Sequence, residues 1–357
     1  MRCDCSFYGA AIVLAALQAG QCAAEPNDAT AAASLVAAGA LIQTDADGFV
    51  REVRFPAAPA NTATASNLQL LTDLPRVRSV VLAGSGTTDA ELEIISQIGT
   101  LRNLDLRECP LTNAALSHVA LLSNLEALRF SGKSGATTID DAGMQQIAKL
   151  KKLRVLMLDY LWVSEVGIAK LVGLEQLEEL TLAQTLINDD CMALIARFPQ
   201  LRKLRLARTG ISASGLSQIV AMHRLEDLDL SEAAQISDKA LAHVGRMREL
   251  KRLNLWRVPV GDAGASQLAG LANLEWLNLD NTTIGDKGLA VVGGFKKLTF
   301  LHLGSTAISD AGLASLAELT ALKELVLTRT AVSAAAAAQL AKQLPQAQIR
   351  LDFVAGQ

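Results

Sequence analysis

Aromatic side chains are scarce in this chain of 357 residues. Three Trp, two Tyr and eight Phe make up 4% of it, yet half of all residues are hydrophobic. A core built on large rings is thereby excluded, and the interior must be aliphatic. Charge of one sign is lacking as well. Thirty-three basic residues face 36 acidic ones, a net charge of -3, so a nucleic-acid partner has no electrostatic footprint. The four histidines, His118, His223, His243 and His302, contain no pair at metal-ligand spacing. Calcium-binding repeats of the GGxGxD kind are missing. Gly132-Lys133-Ser134 imitates the end of a phosphate-binding loop, but Ala127 stands where that loop needs its first glycine. Of five cysteines, Cys3, Cys5 and Cys22 fall at the very start, leaving Cys109 and Cys191 for the rest.

What the chain does have is a unit recurring about every 24 residues, LxxLxLxxTxIxDxGLxxLxxLxx, clearest from Leu177, Leu274 and Leu298. Named by their first apolar residue, full copies begin at Val77, Leu101, Leu125, Leu153, Leu177, Leu201, Leu225, Leu250, Leu274, Leu298 and Leu322. A half-copy near Gln346 keeps only Ile349-Arg350-Leu351. Four residues are added in the copy at Leu125 and one in the copy at Leu225. Such a period denotes a stacked solenoid in which each unit touches only its neighbours.

Within a unit the LxxLxL run alternates as a strand does, and the next segment changes to helical spacing. In the copy at Leu298, Ser309 is placed to cap a helix, Asp310 sits in its first turn, and Leu313, Leu316 and Leu319 form a buried stripe. Thr112, Asp140, Ser164, Asn188, Ser212, Ser237 and Ser333 are equivalent caps. Gly143, Gly167, Gly215, Gly264, Gly288 and Gly312, two places after the Asp slot, suit a helix start packed closely on its neighbour.

This pattern resembles the leucine-rich repeat family over about three quarters of the chain. The resemblance implies an α/β fold: a curved horseshoe with parallel strands on the concave face and short helices on the convex face. Many family members carry Asn at the ninth position. Here Thr185, Thr209, Thr282, Thr306 and Thr330 occupy it, with Cys109 once. The IxD segment after it is similar to the cysteine-containing subclass and its bacterial relatives. Some of those are intracellular ubiquitin-ligase adaptors, but no recruiting domain has room here.

The ends read differently. Residues 1–24 resemble a signal peptide: Arg2, an apolar stretch from Phe7 to Leu17, and Cys22-Ala23-Ala24 as small residues for cleavage. The stretch is too short for a membrane span. Lipidation at Cys22 is the alternative exported form, against which Gln21 stands where a small residue is wanted. A buried N-terminal helix is the non-exported alternative. Residues 25–76 are expected to form a cap, with a helix over Ala31–Ala38 ended by Gly39 and a hairpin around Asp45-Ala46-Asp47-Gly48. Repeats fill 77–345, and 346–357 are a closing strand and tail. Cys109 and Cys191 lie three copies apart, about 15 Å by strand spacing, beyond the roughly 7 Å a disulfide spans. Two buried, unpaired thiols are expected.

Positions three, five, seven and eight of each copy should line the concave wall, the surface that leucine-rich repeat proteins commonly bind with. Charges alternate there, as in Glu179, Lys203, Asp227 and Arg252, and in Arg208, Glu232 and Arg257. The few aromatics gather: Trp256 at position seven, Trp276 and Phe300 at position three of the next copies, His302 beside Phe300, and Tyr160 farther off. Arg252, Trp256, Arg257, Trp276, Phe300 and His302 together have the composition of a binding hot spot. Trp162, at position ten, is expected to pack in its turn. Ser305, His302 and Asp280 could be grouped as a triad, but nothing supplies an oxyanion hole. The reading is a non-enzymatic binding scaffold, exported, without cofactor or metal, whose partner is a protein or other macromolecule. The alternatives are a structural envelope spacer and the adaptor role.

Overall fold

The computed structural model describes residues 26–57 and 63–351. The expected signal at 1–24, with Cys22, lies outside the described residues, as does most of the tail. Positions one, four and six of every copy point inward. In the copy at Leu274 these are Leu274, Leu277 and Leu279, all fully buried. Each contributes about 2 kcal/mol of apolar burial, so the strands are fixed by their aliphatic face and not by their length of three to five residues.

Fourteen strands form one sheet in chain order. The first two, Leu41–Thr44 and Val50–Arg54, are an antiparallel hairpin. Asp45 accepts from the amides of Asp47 and Phe49, and Gly48 turns at φ 88°. Every later pairing is parallel and in register, so that position three runs Arg252, Trp276, Phe300, Glu324 across four strands. The helix before the hairpin spans Pro26–Ala37, buries Ala31 and Leu35, and ends at Gly39 with φ 90°. The result is a curved leucine-rich repeat solenoid with strands inside and short helices outside.

Ser164, Ser212 and Ser309 cap as the sequence predicts, each accepting from the amide two residues on. The Asp slot does more than favour its own helix. Asp189 accepts the amide of Ser212 at 2.8 Å, Asp262 that of Gly285 at 2.8 Å and Asp286 that of Ser309 at 2.9 Å. Each Asp therefore ties one copy to the exposed N-terminus of the next. The recurrence of Gly is explained by this bond. A β-carbon on Gly215 or Gly312 would sit 2.3 Å from the Oδ1 of Asp189 or Asp286. Asn113 plays the same part before Gly143, accepting the amide of Asp140; where the preceding copy has neither Asp nor Asn there, the Gly is released: Cys191 comes after Glu165, and Ala240 after Ala213. Ala336, in the last full copy, tolerates Asp310 because its turn differs: Ser333 caps at φ -78° and ψ 152° where Ser309 has -122° and 179°.

At the other end of each strand, position eight adopts a left-handed conformation. Glu108, Tyr160, Gln184, Arg208, Glu232, Arg257, Asn281, Ser305 and Arg329 all have φ between 52° and 62°. Non-glycine residues are strained there. The turn is held by bonds to the next copy, such as Arg208 N–H to Ser231 O at 2.9 Å and Arg257 N–H to Asp280 O at 3.0 Å. The ninth-position Thr closes the same turn. Thr209, Thr282 and Thr306 hydroxyls donate to the carbonyl three residues back in their own copy. Cys109 instead places Sγ 3.1 Å from Leu82 O of the copy before. Cys109 and Cys191 are buried and unpaired, and burial pushes the Cys109 thiol up to about 11. Trp162 does not pack as expected. It is 64% exposed, because position ten projects from the rim beside Leu186 of the next copy, itself 53% exposed.

Candidate partner-binding site

Parallel register places side chains at equal positions about 4.8 Å apart. On the concave wall this converts the alternating charges into pairs: Lys203–Glu179 at 2.9 Å, Arg252–Asp227 at 3.3 Å, Arg208–Glu232 at 2.7 Å and Arg257–Glu232 at 3.4 Å. Arg205 reaches Asp159 at 2.7 Å on one side and Asp229 at 3.0 Å on the other. Burial raises the pKa of Asp227, opposed by Arg252 and Lys203.

The same register stacks the aromatics. Trp276 and Phe300 lie parallel, ring centroids 5.0 Å apart and planes 6° from coincidence. The Arg252 guanidinium covers Trp276 at 4.4 Å from its centroid. Arg252, Trp276 and Phe300 thus form one continuous stack over three strands. Arg257 sits 5.5 Å from the centre of Trp256, and His302 is tilted against Phe300 at 6.4 Å. All six residues singled out from the sequence share this wall; Tyr160 lies on copies well toward the N-terminus. A shallow groove of about 280 Å³ adjoins the stack, lined by Arg202, Lys203, Lys251, Arg252, Trp276 and Thr299 among others. A larger depression of about 460 Å³ at Arg154, Glu178 and Gln200 is polar-walled and holds no aromatic ring, so the stack is the better recognition surface.

A regularity not used at the sequence level explains His302. The side chain at position five accepts the amide at position seven of its own copy. Asp105 does so for Arg107, Asp229 for Ser231, Asn254 for Trp256, Asn278 for Asp280, and His302 Nδ1 for Gly304 at 3.2 Å. The imidazole therefore holds its proton on Nε2 in this arrangement. Burial lowers its pKa from the usual 6.5, while Asp280 pulls the other way. Burial raises that of Asp280, opposed by His302 and by a hydrogen bond from the Trp256 side chain.

A protonated imidazole would face the Gly304 amide donor to donor. A histidine pKa below its unfolded value means the unfolded chain binds more protons, so His302 removes stability as pH falls from about 6.5. His302→Asn keeps an acceptor, as Asn278 shows one copy earlier, and should flatten that part of the profile. Denaturant titrations of both proteins between pH 7.5 and pH 5 would check this, and parallel profiles would refute it.

The leucine-rich repeat family model matches residues 296–317, the copy carrying Phe300 and His302. No curated protein matches the chain. Among solved structures, an internalin (inlF) from Listeria monocytogenes is similar at 20% identity and a TM-score of 0.56, over 83% of this chain and 94% of that one. A structure described as a TDR receptor is similar at 16% identity and a TM-score of 0.52, over 81% of this chain and 50% of that one. At these identities the likeness is one of fold. Among the described residues no helix is long and apolar enough to cross a membrane. Repeat register, the fourteen-stranded sheet and the matched copy together give the chain the leucine-rich repeat solenoid fold.

Proposed function

We propose that this leucine-rich repeat scaffold binds a protein partner on its concave face, centred on the copies at Leu250, Leu274 and Leu298. The observation carrying this is the Arg252–Trp276–Phe300 stack, partly exposed ring and guanidinium surface on a wall where charges such as Lys203 with Glu179 and Arg208 with Glu232 are already paired. The stack also favours protein over glycan. Arg252 covers one face of Trp276 and Phe300 the other, so a sugar ring finds no free indole face, whereas ring edges and guanidinium groups suit a protein surface. The role proposed is binding, and Ser305, held in the left-handed turn with its amide already on Thr328 O, does not offer that amide to a reacting atom.

Export of a bacterial chain, periplasmic, cell-surface or secreted, belongs to the same proposal and rests on the pattern at 1–24. The mass of the protein from intact cells tests it: an N-terminus still at Met1 in cytosol would overturn export.

Binding is tested by affinity capture from envelope and extracellular fractions. Trp256→Ala, Trp276→Ala and Arg252→Gln are combined in one variant. Species captured by the wild type should be lost, while the helix signal and melting remain. Unchanged capture would remove the concave-face reading and leave a spacer that acts through its ends or flanks.

A further inference from the structure

Resting on the concave-face reading, the repeat supplies its own standard for what that face lacks. Seven carboxylates occupy strand positions three, five and seven of the copies. Asp105, Asp159, Glu179, Asp227, Asp229 and Glu324 each have a cation within ion-pair distance. Asp280 has none among the described residues; His302 first, and then Arg329, act on it from beyond that distance.

Asp159 and Asp280 both stand at position seven. Position seven of the copy after Asp159 holds the small Ala183, and two copies on, at position five, Arg205 reaches back to Asp159 at 2.7 Å. Position seven of the copy after Asp280 holds the smaller Gly304, and two copies on position five holds Val326. The arginine is missing, and His302 and Thr328 close over Gly304 in its stead. Gly304 is not there for its backbone, since its φ is not positive. It lets side chains converge: a β-carbon on it would lie 2.8 Å from His302 Cε1, 2.8 Å from Thr328 Oγ1 and 3.0 Å from Asp280 Oδ1. A carboxylate, a hydroxyl and an imidazole from three successive copies thus meet next to Trp256, within the aromatic cluster.

We propose that Asp280, part-exposed on the wall, anchors an arginine side chain contributed by the protein partner, its guanidinium supplying to Asp280 the charge that Arg205 supplies to Asp159. Thr328 offers a second acceptor, and Trp256, whose side chain hydrogen-bonds Asp280, holds the carboxylate in position. Partner arginine completes the alternation of charge that the chain completes for itself elsewhere.

The test needs no identified partner. Nα-acetyl-arginine amide is titrated into the protein and the three indole N–H resonances are followed by NMR, with the uncharged isostere Nα-acetyl-citrulline amide in parallel. The Trp256 indole should shift saturably with the arginine probe and hardly with citrulline. Asp280→Asn, which keeps an acceptor for Trp256 and removes the charge, should weaken binding roughly tenfold. Asp159→Asn should bind the probe as the wild type does, because Asp159 is already matched. An equal response to citrulline, an Asp280→Asn variant that titrates like the wild type, or no shift at Trp256 would each overturn the assignment. If the probe fails while the triple variant still loses its captured partner, only this inference falls. If the probe binds while capture is untouched, the concave-face reading falls instead.

Discussion

Alanine at Gly293 is expected to destabilise the solenoid by about 3 kcal/mol, for the sake of one methyl group. Its β-carbon would stand 2.0 Å from the Ser315 carbonyl oxygen and 3.0 Å from that carbonyl carbon, both backbone atoms of the next copy. Gly245 meets Gln267 O in the same way at 1.9 Å. Most copies accept a larger residue at this slot, such as Ala120, Ala148, Ala196 or Val172. The two glycines are set apart by the helix of the next copy. It tightens into a 3-10 turn, Leu268–Gly270 after Gly245 and Ala314–Leu316 after Gly293, which brings a carbonyl over the glycine. No flexible side chain can yield there, so whole copies must part. Stability of a solenoid is a sum of unit and interface terms, and the loss falls on one interface. Denaturant unfolding of Gly293→Ala should therefore show the copies from Leu298 onward melting ahead of the rest. An unfolding curve overlying that of Ala317→Ser, a surface-edge control in the next copy, would contradict the account.

Much of the fold could be read from the sequence because burial repeats itself. A buried apolar residue is needed at positions one, four and six in every copy, so eleven copies write the same message. The part that could not be read so lies between copies. The glycine of Gly312 is explained by Asp286, 26 residues earlier, and the cysteine of Cys191 by Glu165. Each looks like a property of its own unit until the two units are stacked. The left-handed turn at position eight has no composition to announce it; Arg, Glu, Asn, Ser and Tyr fill it, and only Gly84 among the copies carries the usual mark. Trp162 misled because a rare aromatic suggests packing, whereas position ten faces out at the rim.

The candidate site shows the same division. Register alone gathers Arg252, Trp276 and Phe300 and pairs Arg252 with Asp227. It does not say that the rings lie face to face, nor that Arg252 chooses the indole face, since those depend on side-chain rotamers. The role of His302 was within reach: Asp105, Asp229, Asn254 and Asn278 put a short acceptor at position five, and the histidine continues them. The unmatched state of Asp280 was less so. It emerges only when Val326 is compared with Arg205, two residues in different copies that share nothing but their place.

Arg205→Met should lower stability by about 2–4 kcal/mol, the second large effect and the clearest measure of what a cation contributes on this wall. Arg205 is itself partly exposed, which limits the figure, but Asp159 has a side chain only 13% exposed. Removing the guanidinium leaves Asp159 and Asp229 facing each other across the vacated space, with the backbone donors Ala183 and Ser231 as partial compensation. Burial already raises the pKa of Asp159, and Arg205 is the first influence holding it down. Without it the pKa should rise further. A carboxylate whose folded pKa lies above its unfolded value binds more protons folded than unfolded, so the variant's deficit should be greatest near neutrality and shrink as pH falls through the folded pKa of Asp159. Adding Asp159→Asn to Arg205→Met should recover a substantial part of the loss at neutral pH, because the charge that lost its partner is gone. A deficit that is flat with pH and indifferent to Asp159→Asn would mean that Arg205 acts through packing of its aliphatic stem. In that case Asp280 would need no counterpart either, so this measurement on the chain's own arginine bears directly on whether the partner must bring one.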